Sequence, residues 1–322
     1  MSRPVRRLLV AALLLACLSP LGVVASPARA EDPPYLDWPS LLPSLVDTYD
    51  PSSANDCVAG RNRCLDAILR EMRRQFEPLG RGCSHNAPFA LAYWRISEGY
   101  GEARKETGYF RDVPVFNHVV AVFAKYYLSA YQNWKKGNRA AVPQAWLIPF
   151  DAAAGRQVSG TGNLLMGVNA HVNRDLAFVM AATGLVGPDG RSKKRDYDRV
   201  NVLINTMIEP LMAEEAARFD PSISSGPSPL GAGYTLNSEL IATWREQAWR
   251  NAELLVNANS PEARAAVATQ IETSAASQAN TYRTALAYQP PVTTSSSRDA
   301  FCPMHHGASA PIAYFYGTPR PY

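Results

Sequence analysis

Long alternating apolar–polar runs are missing from this chain, and beyond its first thirty residues no apolar stretch reaches about 18 residues. The first absence argues against a sheet-built fold, because a half-buried strand needs period-two patterning. The second leaves no candidate for a later membrane-spanning helix. No Gly-x-Ser-x-Gly elbow, Walker loop or strand-anchored dinucleotide fingerprint occurs, so those nucleophile and phosphate-cradling chemistries have no foothold. Histidine is scarce, at five residues, and no cysteine pair has Cys-x-x-Cys spacing. A zinc–thiolate cluster is thereby disfavoured.

The beginning of the chain reads as an export signal covering residues 1–30. Arg3, Arg6 and Arg7 precede an apolar core, and Ala28-Arg29-Ala30 is a small-x-small cleavage site that places the mature start at Glu31. Leu14-Leu15-Ala16-Cys17 resembles a lipobox and offers lipid anchoring through Cys17 as the minority alternative to secretion. The leading segment carries four arginines and no acid. Of 32 basic and 28 acidic residues in the whole chain, 28 of each remain after cleavage. A nucleic-acid binder needs excess positive charge along one face, which a neutral mature chain does not supply. Nucleic acid is therefore not an expected partner.

Four cysteines stay in the mature chain, Cys57, Cys64, Cys83 and Cys302. An even number in an exported chain predicts two disulfides. Three pairings exist; a short Cys57–Cys64 loop with a long Cys83–Cys302 staple is the preferred one. The remaining 292 residues suffice for one large core. Residues 31–54 read as an irregular lead-in, 55–288 as one helical domain and 289–322 as a Pro-, Ser- and Tyr-rich tail tied back through Cys302.

Helical period predicts about eight helices, at 64–77, 88–105, 113–136, 143–154, 163–184, 195–219, 237–257 and 261–288. Asp112 before Val113-Pro114 and Ser260 before Pro261-Glu262 are start signals. Gly137 and Gly184 stand where C-terminal caps belong. Pro210 is expected to kink the sixth helix, and Pro221 to Gly233 to form a loop. The expected fold is all-α, a single multi-helix domain with an irregular, disulfide-tethered tail.

The stretch Asn169-Ala-His171-Val-Asn173-Arg-Asp175-Leu176 carries the strongest chemical signal. His171 and Asp175 stand four residues apart, on one helical face. At about 100° per residue they share the sector of Leu164, Val168, Phe178 and Val179, which points both toward the core. Buried polar groups need partners or a metal. The pair fits two ligands of a divalent metal such as zinc, a histidine–carboxylate acid/base dyad, or a satisfied packing network. Arg245 falls within the apolar face of the seventh helix among Leu240, Ile241, Trp244 and Trp249. A buried guanidinium demands compensation, and Asp175 is its first candidate partner; the alternative is that Arg245 snorkels along its stem to the surface. Asn169 and Asn173 lie on a neighbouring face and suit packing or the edge of a polar cleft. His118 shares a sector with Lys125, Ser129 and Gln132, which predicts a water-facing position. Asp196, Asp198 and Asn201 sit near the start of the sixth helix, where acids suit the helix dipole. His305-His306 lies on the tail without further ligands near it in sequence.

Gly167-Val-Asn-Ala-His-Val-Asn-Arg-Asp-Leu176 resembles the signature of a bacterial protein family of unknown function. Phe110-Arg-Asp112, Pro143-Gln-Ala-Trp146, Asp198-Arg-Val-Asn201 and Trp244-Arg245 with Trp249 extend the likeness over roughly residues 85–257. The resemblance implies an all-helical single domain and no established activity. A more distant likeness is to zinc-dependent phospholipase C and single-strand nuclease enzymes, which are helical, exported and use HxxxD pairs. This chain has one HxxxD and lacks their N-terminal ligating tryptophan. The leading expectation is an exported helical protein whose polar centre serves packing or small-ligand binding. The alternatives are a metal-dependent hydrolase, for instance a phosphoesterase with His171 and Asp175 as ligands, and a cell-envelope interaction module using the tyrosine-rich tail.

Overall fold

A computed structural model describes residues 48–224 and 232–316, with side chains from 239 onward in the second span. The export signal and most of the lead-in fall outside the described residues. The helices are α1 (Asn62–Arg81), α2 (Ala87–Ala103), α3 (Val113–Lys135), α4 (Gln144–Ala154), α5 (Gly160–Asn169), α6 (Leu176–Thr183), α7 (Lys194–Arg218), α8 (Ala232–Asn257), α9 (Pro261–Ala285) and α10 (Ser296–His305). Among the described residues there is no strand, only two isolated bridges. The fold is all-α.

Local signals act where the sequence put them. The Asp112 carboxylate accepts from the Val115 N–H to open α3, and the Ser260 hydroxyl accepts from Ala263 to open α9. Gly137 and Gly184 follow α3 and α6 with φ of +77° and +80°, the left-handed region that a Cβ disfavours. Helix α7 runs through Pro210 without a break. Neighbouring turns and packing against α2 and α8 hold the segment helical despite the lost N–H.

The layout is a set of helices around one central rod. Helices α5 and α6 are joined end to end by a π-helical stretch, Ala170–Asp175. This rod packs on α2, α3, α4, α8 and α9, so its residues have almost no access to water. Trp94, Trp146, Phe76 and Phe219 fill the surrounding core. Within the rod, Gly167 allows the closest approach: a Cβ there would meet the Phe89 ring at 2.5 Å.

Both disulfides have the preferred pairing, Cys57–Cys64 and Cys83–Cys302. The second tethers the C-terminal region, which is not wholly irregular: α10 lies inside it. A ten-residue helix containing Pro303 shows no clear period in sequence. It is fixed by the disulfide and by Arg298, whose guanidinium donates to Asn163 Oδ1 at 2.6 Å.

One polar expectation is corrected. His118 is buried, not water-facing, with Nδ1 2.9 Å from the Cys57 carbonyl; Lys125 and Ser129 are buried with it. The Cys57–Cys64 loop meets α3 at His118. Asp196 stands in the first turn of α7, where the helix dipole favours an acid, and it does more than that. Its carboxylate accepts the backbone N–H groups of Arg111 and Asp112 at 2.8–3.0 Å, pinning the turn before α3 to the start of α7.

Candidate functional site

The π-helical turn carries the central pair. A π insertion widens the helix locally and is often found at functional positions. Helix α9 grips it from one side. Asn169 Nδ2 donates to the Ala275 carbonyl at 2.9 Å, Asn173 Nδ2 donates to Asn169 Oδ1 at 2.9 Å and to Gln278 Oε1 at 2.7 Å, and Arg174 pairs with Glu272. The two asparagines therefore serve packing between the rod and α9.

Asp175 has no solvent exposure and three donors. Its Oδ1 accepts from Arg174 Nη1 at 2.6 Å. Its Oδ2 accepts from Trp146 Nε1 at 2.8 Å and stands 3.3 Å from His171 Nδ1. The arginine beside Asp175 is thus Arg174, not Arg245. Sequence periodicity did not single out Arg174, because its salt bridges to Asp175 and to Glu272 on α9 depend on tertiary placement. Trp146, noted only within Pro143-Gln-Ala-Trp146, is the other missed member.

His171 is 3% exposed and stacked on Phe123, ring centroids 3.5 Å apart and planes within 6°. The Tyr93 ring stands edge-on at 4.3 Å. Burial lowers the His171 pKa, and the bond and charge of Asp175 oppose that only in part, so the imidazole is neutral near pH 7. The Asp175 carboxylate can only accept, which places the proton on Nδ1 and leaves Nε2 as an acceptor. That Nε2 is buried and has no hydrogen-bond partner among the described residues; the same holds for the Tyr93 hydroxyl. Burial, then the charge of Asp175, pushes the Tyr93 phenol well above its ordinary pKa, so it stays protonated and can donate.

His171 and Tyr93 are among the residues lining a cavity of about 180 Å³ between the rod, α2, α7 and α8, their unpartnered polar atoms themselves buried. Its wall is otherwise almost wholly apolar, with Leu164, Ile208, Leu211, Met212 and Ile241 among the lining. A second space of about 70 Å³ adjoins it, sharing Tyr93, Phe123 and Arg245. Among the described residues the one charged group on either wall is Arg245, 4% exposed. Its Nε donates to Asn201 Oδ1 and its Nη2 to the Tyr197 carbonyl, both at 2.6 Å. So His171 and Arg245 share one cavity, while Asp175 stands behind His171.

As a metal site the pair is poorly disposed. Both Asp175 oxygens are taken by N–H donors, and only His171 Nε2 is open. Among the described residues no three of His, Cys, Asp and Glu gather as ligands. His305 and His306 end α10, and His305 Nδ1 stands 2.8 Å from the Phe301 carbonyl.

A second buried polar group lies where α7 meets the C-terminal region. Glu214 binds Arg95, Arg218 and the Tyr314 hydroxyl, while its neighbour Glu215 is fully buried, both oxygens lacking a hydrogen-bond partner among the described residues. Burial, then the Glu214 charge, holds the Glu215 pKa well above the carboxylate range, so the side chain is neutral. A raised folded-state pKa gives stability that is present below the unfolded value and lost as pH rises toward the folded one. Glu215→Gln should therefore become progressively more stable than the parent above about pH 4.5, by at most about 1.4 kcal/mol per pH unit. Urea unfolding at pH 5 and pH 8 checks this; an unchanged difference would show that Glu215 is ionised in the fold.

The chain belongs to the Family of unknown function (DUF5995), whose model matches residues 65–285. That span runs from α1 to the end of α9 and contains the rod, the cavity and Arg245; α10 and the Cys302 staple lie outside it. No curated protein and no solved structure matches the chain.

Proposed function

We propose that this family member is a small-ligand-binding protein, with the cavity at His171 as its binding site. The observation that carries the reading is the pairing of two unlike features at one place. The walls are apolar and the volume exceeds the roughly 150 Å³ known to admit benzene in an engineered core. On that wall stand an imidazole acceptor and a phenol donor, both buried and both without a hydrogen-bond partner among the described residues. Leaving such atoms unsatisfied costs about 1–3 kcal/mol each. A few convergent polar groups in an otherwise apolar pocket is the usual form of a small-molecule site. The complementary ligand is mostly apolar and offers a hydroxyl or N–H to His171 Nε2. Asp175 acts from behind by holding the imidazole tautomer.

Binding of the uncharged fluorophore N-phenyl-1-naphthylamine to the disulfide-intact protein tests this reading. Saturable fluorescence enhancement is expected, weakened at least tenfold by Leu164→Trp, which fills the cavity. Displacement of the probe by decanol should weaken in His171→Phe, where the ring stack survives and the acceptor is gone. A folded protein that leaves the probe in water, or a Leu164→Trp variant that binds as well as the parent, would refute the proposal.

A further inference from the structure

The buried arginines of this fold differ in one respect. Arg95 is held by Glu214 and Glu98, Arg174 by Asp175 and Glu272, and Arg218 by Glu214. Arg245 is as deeply buried, yet its hydrogen-bond partners among the described residues are both neutral, an asparagine oxygen and a backbone carbonyl. Its guanidinium lies 4.3 Å from the centroid of the Tyr197 ring, a contact that helps a cation without neutralising it. Among the described residues no carboxylate pairs with it directly; Asp198 acts on it only through its charge, and its carboxylate is in contact with Lys194. Arg298 also lacks an ion pair, but it faces Asn163 and His85 rather than a cavity.

A buried charge without a counter-charge is expensive, by several kcal/mol after relaxation. A chain that needed only packing at position 245 could use methionine or leucine, as the flanking Trp244, Ala248 and Trp249 do without charge. Arg245 stands where the two adjoining cavities meet, so its open face looks onto the space a ligand would occupy. Its planar fork suits a carboxylate, which it can engage through parallel N–H donors. Apart from His171, Tyr93 and a few hydroxyls such as Thr161 and Ser97, the remaining lining offers such a ligand apolar contact.

From this we infer that the ligand is an amphiphilic monocarboxylate, with its carboxylate on Arg245 and its apolar body in the cavity beside His171. The inference rests on the small-ligand reading above and adds the charge of the ligand. A hydroxyl along the apolar body would satisfy His171 Nε2, which makes hydroxylated monocarboxylates the best complement. Binding would complete the missing ion pair and so stabilise the fold.

The test uses the same disulfide-intact protein loaded with N-phenyl-1-naphthylamine at pH 7. Decanoate, decanol and decylamine have one tail and three head groups. Decanoate is expected to displace the probe at a concentration at least tenfold below decanol, with decylamine weakest. Arg245→Met should keep the probe and lose the decanoate preference; Arg245→Lys should keep part of it. If decanol or decylamine displaces the probe as well as decanoate, the anion inference falls and the binding reading stands. If the parent protein binds no probe, the binding reading itself falls, and this one with it. Should Arg245→Met not fold, the parent's decanoate-to-decanol ratio decides the matter alone.

Discussion

Glu214→Gln is expected to lower the stability of the fold by about 3–5 kcal/mol at pH 7, the cost typical of breaking a buried ion pair from one side. The carboxylate is fully buried and joins three elements. Arg95 on α2 donates to it from Nε at 2.9 Å and from Nη2 at 2.8 Å, Arg218 approaches at 2.9 Å, and the Tyr314 hydroxyl donates at 2.9 Å from the C-terminal segment. Glutamine keeps the shape and one acceptor oxygen but removes the charge that two guanidinium groups share. Burial alone would raise the Glu214 pKa; the bonds and charge of Arg95, with the charge of Arg218, bring it below the ordinary value instead. A lowered folded-state pKa gives stability that is present above the unfolded value, about 4.5, and lost as pH falls through the folded one. The parent and variant should thus differ most near neutrality and converge in acid. Urea midpoints from pH 3 to 7 measure this, and a loss under about 1 kcal/mol at pH 7 would mean that the network is not compensating those arginines. Neighbouring Glu215 has the opposite sign, so the two glutamine variants should diverge as pH rises.

How much of this was legible depends on what each residue's signal measures. All eight helices expected from period are present, because a long amphipathic or apolar segment needs no knowledge of its neighbours to declare its pitch. Cysteine parity and spacing likewise led to the pairing found. Arg245 was visible as a charge on an apolar face, and His171 with Asp175 as polar groups aimed at the core. What failed was partner choice. Asp175 is the first candidate partner of Arg245 in sequence, yet α8 sets Arg245 against α7 at Tyr197 and Asn201. Arg174, one residue from Asp175, was not a candidate, since its role depends on Glu272 some hundred positions away. The π stretch was also invisible: period analysis assumes one pitch throughout, and a single inserted residue leaves no compositional mark. His118 shows the reverse error. A stripe of His, Lys and Ser reads as solvent-facing until a disulfide loop, whose position no local pattern encodes, is laid over it.

Asp175→Ala should be comparably severe, at about 3–5 kcal/mol, because the pair it breaks is buried at the centre of the rod. Three donors lose their acceptor at once: Arg174 Nη1, Trp146 Nε1 and His171 Nδ1. Glu272 still pairs with Arg174, but it is more than a quarter exposed and screened accordingly. Asp175→Asn separates charge from shape. It keeps an acceptor oxygen for one donor while offering an N–H where two donors already point, so it should cost less than alanine without restoring the parent. The two variants also test the link between the polar centre and the cavity. Without the carboxylate, no acceptor holds the His171 proton on Nδ1, and the proton can move to Nε2. Ligand-free protein would report this directly, as a change in the nitrogen chemical shifts of the His171 ring. Binding would report it as a loss of affinity for a hydroxyl-bearing ligand that exceeds the loss for the uncharged probe. If Asp175→Ala unfolds at the parent's urea midpoint and leaves the His171 nitrogen shifts in place, Asp175 is a spectator and the tautomer assignment for the cavity wall is wrong. If stability falls but the shifts stay, the network is structural alone, and His171 keeps its tautomer through packing against Phe123 and Tyr93.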